Sequence, residues 1–242
     1  MYLRIIYGFV AGYREHVQLS VEVTDIIIAD AALTVAFALV FAGGIGSLTL
    51  SKFLYYIPIA FVAVSLSFIL HEYMHKVVAQ KFGAIAAFRR WDSGIAITLL
   101  SSLFGFLIGL PGATMIYTNS FTREEEGYVS LAGPLTNFAV FLAIFALGTV
   151  ASSYFVLSHY IQVMISTTLF ICVWLAFFNM LPIYPLDGSK VLRWNRGVYA
   201  VTMVVIFAFL YFVAGPAILP DLVFVLIIAL VMSFAYRGIM RF

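Results

Sequence analysis

Residues 53–75 read FLYYIPIAFVAVSLSFILHEYMH, an uncharged apolar run of eighteen residues followed at once by a His-Glu-x-x-His sequence. Such a run predicts a membrane helix, because about 20 mainly apolar residues are needed to cross the bilayer. In a helix, His71 and His75 lie on one face and can bind one metal ion together, and Glu72 can take a proton from water at that metal. The stretch therefore predicts a hydrolase whose chemistry takes place within a membrane.

The composition places the whole chain in the membrane class. Of its 242 residues 64% are hydrophobic and 10% are charged, and the mean hydropathy is +1.09, which is far too apolar for a soluble globular protein. The net charge of +2 includes no basic cluster that could bind nucleic acid. The single cysteine, Cys172, cannot form a disulfide within the chain and is predicted to be a packing residue. We expect one integral-membrane domain over residues 1–242.

Six apolar stretches predict membrane-spanning helices. They lie at about residues 31–50, 53–79, 128–151, 158–181, 198–215 and 218–236. A further apolar stretch, at about residues 94–118, contains four glycines and Pro111, which break a helix or let the chain fold back. We therefore predict that this stretch is re-entrant and does not span.

The distribution of basic residues favours the same topology. With a cytoplasmic N-terminus and a re-entrant stretch at 94–118, twelve of the thirteen basic residues fall on the inside and only Lys52 falls outside. If the stretch spans, the inside keeps six of the thirteen and the bias disappears. The sequence thus predicts that both termini face the cytoplasm. It also predicts that Asp187 lies on the same side of the membrane as the two histidines.

A third metal ligand is needed, because catalytic zinc sites usually take three protein ligands and leave a fourth position for water. Ionisable residues in or beside apolar stretches are the candidates, since their burial is costly; these are Asp25, Asp30, His159, Asp187 and Asp221. Asp187 is distinguished by its surroundings: Pro182 and Pro185 must break the preceding helix, and Gly188 permits a sharp turn. It could alternatively be the N-cap of a following helix.

The sequence HEYMH at 71–75, combined with NMLPIYPLDG at 179–188, resembles the site-2 proteases, which are intramembrane zinc metalloproteases. AGPLTN at 132–137 looks like the Gly-Pro-x-x-Asn sequence of that family, and LPGATM at 110–115 looks like its substrate-strand segment. The resemblance covers roughly residues 53–196, the expected catalytic core. It implies an all-α polytopic membrane protein of about six transmembrane helices. It also implies a re-entrant or short β segment between the His-Glu-x-x-His helix and the Gly-Pro-x-x-Asn helix, in a compact form without a PDZ or CBS domain.

The resemblance also implies roles for individual residues. One zinc ion would be bound by His71, His75 and Asp187, and Glu72 would be the general base. Asn179 and, secondarily, Asn137 would bind the substrate or the developing oxyanion. Four residues of the substrate-strand segment would pair with an unwound transmembrane segment of a membrane-protein substrate; they are Gly112, Ala113, Thr114 and Met115.

Other interpretations remain open at this stage. The same His and Asp residues could form the transit site of a divalent metal transporter, or the chain could be an inactive homologue that binds membrane partners. Asn137 and Asn179 could be hydrogen-bonding residues between helices. The ligand set also suits iron or cobalt. The clustering of the polar groups at one depth favours the enzyme, because a transporter needs polar groups along a path through the bilayer. The oligomeric state, the substrate and the cleavage site are not predicted.

Overall fold

The computed structural model of the chain describes residues 2–109, 111–118, 121–220, 222–223 and 226–227. The described part is mostly helical, with one two-stranded sheet. Its helices are α1 (Tyr2–Phe41), α2 (Leu50–Val64), α3 (Leu70–Lys81), α4 (Asp92–Leu103), α5 (Arg123–Tyr154), α6 (His159–Asn179), α7 (Asp187–Trp194) and α8 (Arg196–Ala214). A π-helical turn, Ser65–Ile69, joins α2 to α3, and a short 3₁₀ turn, Pro216–Ile218, follows α8. The strands are β1 (Ile85–Arg90) and β2 (Gly112–Tyr117).

Five helical segments of the described chain are long and apolar enough to cross a membrane, as expected for a multi-pass membrane protein. They are Ser20–Phe41, Leu50–Lys81, Arg123–Tyr154, His159–Asn179 and Arg196–Ala214. The last four coincide, within a few residues, with stretches predicted to span. The helix predicted at 218–236 falls largely outside the described residues, so a sixth span stays a prediction.

The first spanning segment, Ser20–Phe41, ends about ten residues earlier than the predicted 31–50. Its end is moved by Gly43 and Gly44, whose φ angles of 92° and 60° terminate the helix. The segment also contains two acidic side chains that are accommodated by contacts with β1. Glu22 and Asp25 are buried and partnered, because Glu22 accepts a hydrogen bond from the backbone N–H of Phe88 and Asp25 lies 3.6–3.8 Å from arginine nitrogens of β1.

The stretch predicted to be re-entrant forms the greater part of α4 and then β2. The 12-residue α4 is apolar but shorter than a spanning helix. Strand β2 pairs with β1, so the short β segment expected between the two motif-bearing helices is present. That the stretch enters the membrane and returns stays a prediction.

The chain divides into two compact units. The first comprises residues 1–61 and 86–116. Within it α4 packs against α1, and the backbone N–H of Ile45 donates to the carbonyl of Leu103 over 2.7 Å. The arginines of β1 form ion pairs with Asp25 of α1. This unit contains most of the β1–β2 sheet.

The second unit comprises residues 62–85 and the described residues from 117 onward. Helix α5 is at its centre and packs against α3, α6 and α7, while α8 packs against α6 and α7. Its core is apolar and aromatic: Phe141 of α5 is fully buried and lies edge-on to Phe209 of α8, with ring centroids 5.5 Å apart. Cys172 is buried in this core, as predicted. Both histidines and Asp187 belong to this unit.

Two leucines offer a matched test of this packing. Leu210 of α8 is fully buried, whereas Leu147 of α5 is 69% exposed. Leu210→Ala should lower the free energy of unfolding in detergent by about 2 kcal/mol. This lies at the low end of the range for core leucines. In a membrane protein the leucine side chain gains little by moving from a lipid-like medium into the core, so the substitution costs mainly the lost van der Waals contacts. Leu147→Ala should change it by less than about 0.5 kcal/mol. Equal effects of the two substitutions in denaturant titrations would contradict this packing.

Candidate metal site

Helix α3 presents two buried histidines on one face. His71 and His75 are 2% and 7% exposed and lie one turn apart. The π-helical turn immediately before α3 contains one more residue per turn than an α-helix, and so it changes the direction in which the following face points. Within this turn, the hydroxyl of Ser67 donates to the carbonyl of Ala63 in α2 over 2.7 Å. The π turn could not be predicted from the sequence, where the two serines of this apolar run are its one local sign.

Asp187, at the start of α7, lies beside the two histidines of α3. Helix α6 ends at Asn179, before the two prolines, and α7 begins at Asp187. Leu186 occupies the N-cap position, and the cap has no side-chain hydrogen bond. The Asp187 carboxylate is therefore turned toward the histidines and does not cap its own helix. It is 7% exposed.

Gly188 is required for a different reason from the predicted turn. Its φ is not positive. A Cβ at this position would lie 2.1 Å from the carbonyl oxygen of Met180, so only glycine lets the start of α7 approach the end of α6. That approach fixes the position of the neighbouring Asp187.

Three potential ligand atoms meet at the centre of the unit. Nε2 of His71 lies 3.0 Å from Nε2 of His75, and Oδ2 of Asp187 lies 3.5 Å and 3.1 Å from these two nitrogens. Ligand atoms about 2.0–2.1 Å from a tetrahedral zinc ion lie about 3.4 Å from one another. The observed triangle therefore fits three corners of a zinc coordination tetrahedron. Among the described residues, this is the one cluster of three such side chains.

Helix α5 closes over the histidines through a glycine. A Cβ at Gly133 would lie 2.5 Å from Nε2 of His75 and 2.6 Å from Nε2 of His71. Any side chain at this position would occupy the space beside the ligand nitrogens. Gly133 of the Gly-Pro-x-x-Asn sequence thus leaves a gap in the surface of α5 beside the histidines. This role of Gly133 was not predicted from the sequence.

The far side of each imidazole also has a partner on α5. Nδ1 of His75 lies 2.7 Å from the backbone carbonyl of Val129. Because a carbonyl can only accept, this nitrogen carries the proton and Nε2 of His75 directs a lone pair into the cluster. Nδ1 of His71 lies 3.2 Å from Nδ2 of Asn137, which is fully buried.

The electrostatics favour an ionised Asp187. Burial alone would raise the pKa of its carboxyl, but the charge that the imidazoles of His75 and His71 carry when both ring nitrogens are protonated, together with their hydrogen bonds, outweighs burial and holds the pKa well below its usual range. The second carboxylate oxygen, Oδ1, lies 3.9 Å from Nζ of Lys190. The carboxylate therefore directs one oxygen to the histidines and the other to a cation.

The remaining predicted site residues take different places. Glu72 follows His71 on α3, is partly buried and is not a member of the three-residue cluster. Asn179 is partly buried and its amide donates to the carbonyl of Leu175 in its own helix over 3.0 Å. The predicted substrate-strand residues, Gly112 to Met115, lie in β2 of the other compact unit. Their pairing with a substrate stays a prediction.

Together these features define a class: a multi-pass helical membrane protein with a buried metal site of two histidines and one carboxylate. Comparison with known proteins supplies the family. The chain is 42% identical over 144 residues to a Methanocaldococcus jannaschii protein named "Putative zinc metalloprotease", an alignment that covers 59% of this chain and 73% of that protein. The chain belongs to this zinc metalloprotease family.

A second relative has a lower sequence identity to the chain. It is a zinc metalloprotease of the same organism, 24% identical over 135 residues, and the alignment covers 56% of this chain and 33% of the relative's length. No family model matches the chain.

The gap at Gly133 can be tested by filling it. Gly133→Ala should abolish stoichiometric zinc binding, because the new methyl group would stand beside both ligand nitrogens. Gly148→Ala on the same helix is the control, since the nearest atom to its Cβ is a side-chain methyl of Ile165 at 3.3 Å, which can shift. Metal content after zinc loading and dialysis measures the effect. A zinc-replete Gly133→Ala protein would show that α5 does not close the site.

Proposed function

We propose that this protein is an intramembrane zinc endopeptidase of the site-2 type, which hydrolyses peptide bonds within or near transmembrane segments of membrane-protein substrates. The observation that carries the proposal is the triangle of ligand atoms with 3.0–3.5 Å sides. Two of its corners belong to a helical segment of 32 residues that is apolar enough to span a membrane. A site that holds one zinc ion at such a place would act on peptide bonds inside the bilayer.

The chemistry needs a metal and a base. Zinc held by His71, His75 and Asp187 would polarise the scissile carbonyl and lower the pKa of a water molecule toward neutrality. Glu72, next to the first ligand, would accept a proton from the attacking water and deliver it to the leaving nitrogen. Asn179, at the end of α6, would hold the substrate or the developing oxyanion. All three ligand residues are buried.

A substrate helix must unwind before its carbonyls become accessible, because they are engaged in the helix's own hydrogen bonds. We propose that β2 holds the unwound segment by β-augmentation. The formation of a strand at Gly112–Tyr117, in a sheet of two strands within the described chain, supports this assignment.

We further propose that the site lies toward the cytoplasmic face of the cell membrane, with both termini in the cytoplasm. The support is the basic-residue bias, which places twelve of thirteen on that side. Cleavage would then fall near the cytoplasmic end of the substrate segment.

A divalent metal transporter is less well supported. A transport path needs ligands at successive depths, whereas the described residues hold one metal-type cluster.

Glu72→Gln separates the two functions. The variant should bind one zinc per chain as the wild type does, because the ligands are untouched. Its rate of cleavage of a transmembrane substrate in proteoliposomes should fall by about 10²-fold or more, because the base is lost. Glu124→Gln, at an exposed position of α5, should retain cleavage. Zinc flux that persists in Glu72→Gln, with no cleavage by the wild type, would establish the transporter instead.

Proline substitutions test the role of β2. A proline removes a backbone N–H from the strand, and the N–H groups of successive residues point to opposite edges. Among positions 113 to 116, proline should lower cleavage at the two whose N–H groups point away from β1, and serine at those two positions should be tolerated. Zinc content should be unchanged in all of these variants. If all four proline variants cleave at the wild-type rate, β2 does not pair with the substrate.

A further inference from the structure

Asn137 occupies an unusual position for a residue expected to contact substrate. Its side chain is fully buried, and it lies one helical turn after Gly133, on the same face of α5. Its amide nitrogen lies 3.2 Å from Nδ1 of His71. Its amide oxygen is buried and has no hydrogen-bond partner among the residues that the structure describes. A buried acceptor without a donor is costly, because it gives up its hydrogen bonds to water and gains none within the protein.

The protonation state of a metal-bound histidine indicates which way the Asn137 amide must face. An imidazole that binds a metal through Nε2 carries its proton on Nδ1, which must donate to an acceptor. With the Asn137 nitrogen toward Nδ1, the amide donates, the His71 proton sits on Nε2 and that atom cannot bind a metal. A 180° rotation of the amide exchanges its nitrogen and oxygen with little change of shape. The oxygen then accepts from Nδ1–H and Nε2 directs its lone pair into the cluster.

We propose that Asn137 is a positioning residue for the metal site, whose amide oxygen accepts a hydrogen bond from Nδ1–H of His71 and so fixes the metal-binding tautomer. The inference rests on the metal site of the proposed function. It assigns to Asn137 a role on the histidine in place of a contact with the substrate.

The two histidines are held in different ways. His75 donates to the backbone carbonyl of Val129, which can only accept and which no side-chain substitution removes. His71 depends on a side chain that can donate or accept. Its tautomer is therefore the one that a mutation can change.

Two variants with opposite expectations test the proposal in purified protein, with zinc affinity measured by competition with a chelator. Asn137→Leu has a similar size and no acceptor, so it should weaken zinc binding by about 10–100-fold. Asn137→Asp has acceptor oxygens only, so it should bind zinc within about threefold of the wild type or more tightly. Asn195→Asp is the control for the added charge, because its side-chain oxygen only caps α8.

The outcomes separate the alternatives. Wild-type zinc affinity in Asn137→Leu would overturn the proposal. A weak affinity in Asn137→Asp, in protein that remains folded, would also overturn it, since an amide donor would then be the group required. If Asn137 contacted substrate instead, both variants would bind zinc normally and lose turnover. Failure of the wild type to bind zinc at all would contradict the proposed function itself.

A measurement on the unmutated protein covers the case in which the variants do not fold. In ¹⁵N-histidine-labelled protein, the His71 signals can be assigned in the zinc-free state by their loss in His71→Gln and then followed as zinc is added to the unmutated protein. Nδ1 of His71 should carry a proton and Nε2 should be the coordinating nitrogen. A coordinating or unprotonated Nδ1 would exclude a hydrogen bond to the Asn137 oxygen and overturn the proposal.

Discussion

The approach of one carboxylate oxygen to two imidazole nitrogens, all within 3.5 Å and all buried, is the interaction on which this structure depends. Three lone-pair-bearing atoms repel one another in an apolar interior unless a cation, either a proton or a metal ion, lies between them. The chain brings these atoms together by structural means. A glycine lets α5 close on the histidine face of α3, a second glycine lets α7 start against the end of α6, and a π turn directs the α3 face.

These devices lie in one compact unit and share one helix. Helix α5 supplies the gap at Gly133, the carbonyl of Val129 and the amide of Asn137 within three turns. Helix α5 therefore closes one side of the metal site, although it contributes no ligand. These contacts explain why the Gly-Pro-x-x-Asn sequence of α5, which supplies no metal ligand, occurs together with the His-Glu-x-x-His sequence of α3.

Much of this could be predicted from the sequence, because the signals were local. The spacing of His71 and His75 predicted that they share one face of a helix. The prolines at 182 and 185 predicted that α6 ends before Asp187. Four of the spans followed from apolar length alone. The burial of Glu22 and Asp25 in the first spanning segment could not be predicted, because these residues are stabilised by β1, a contact distant in sequence. The roles of Gly133 and Asn137 depend on which helix faces α3, and no local pattern reports that.

The ligand set of the bound metal is the most direct test of the site. X-ray absorption at the zinc edge of the purified, zinc-loaded protein should show nitrogen and oxygen ligands at about 2.0–2.2 Å, with two of them imidazoles, and His71→Ala or Asp187→Ala should remove the metal. A sulfur ligand at about 2.3 Å, or zinc bound at full stoichiometry without His71 or Asp187, would contradict a site built from these three residues.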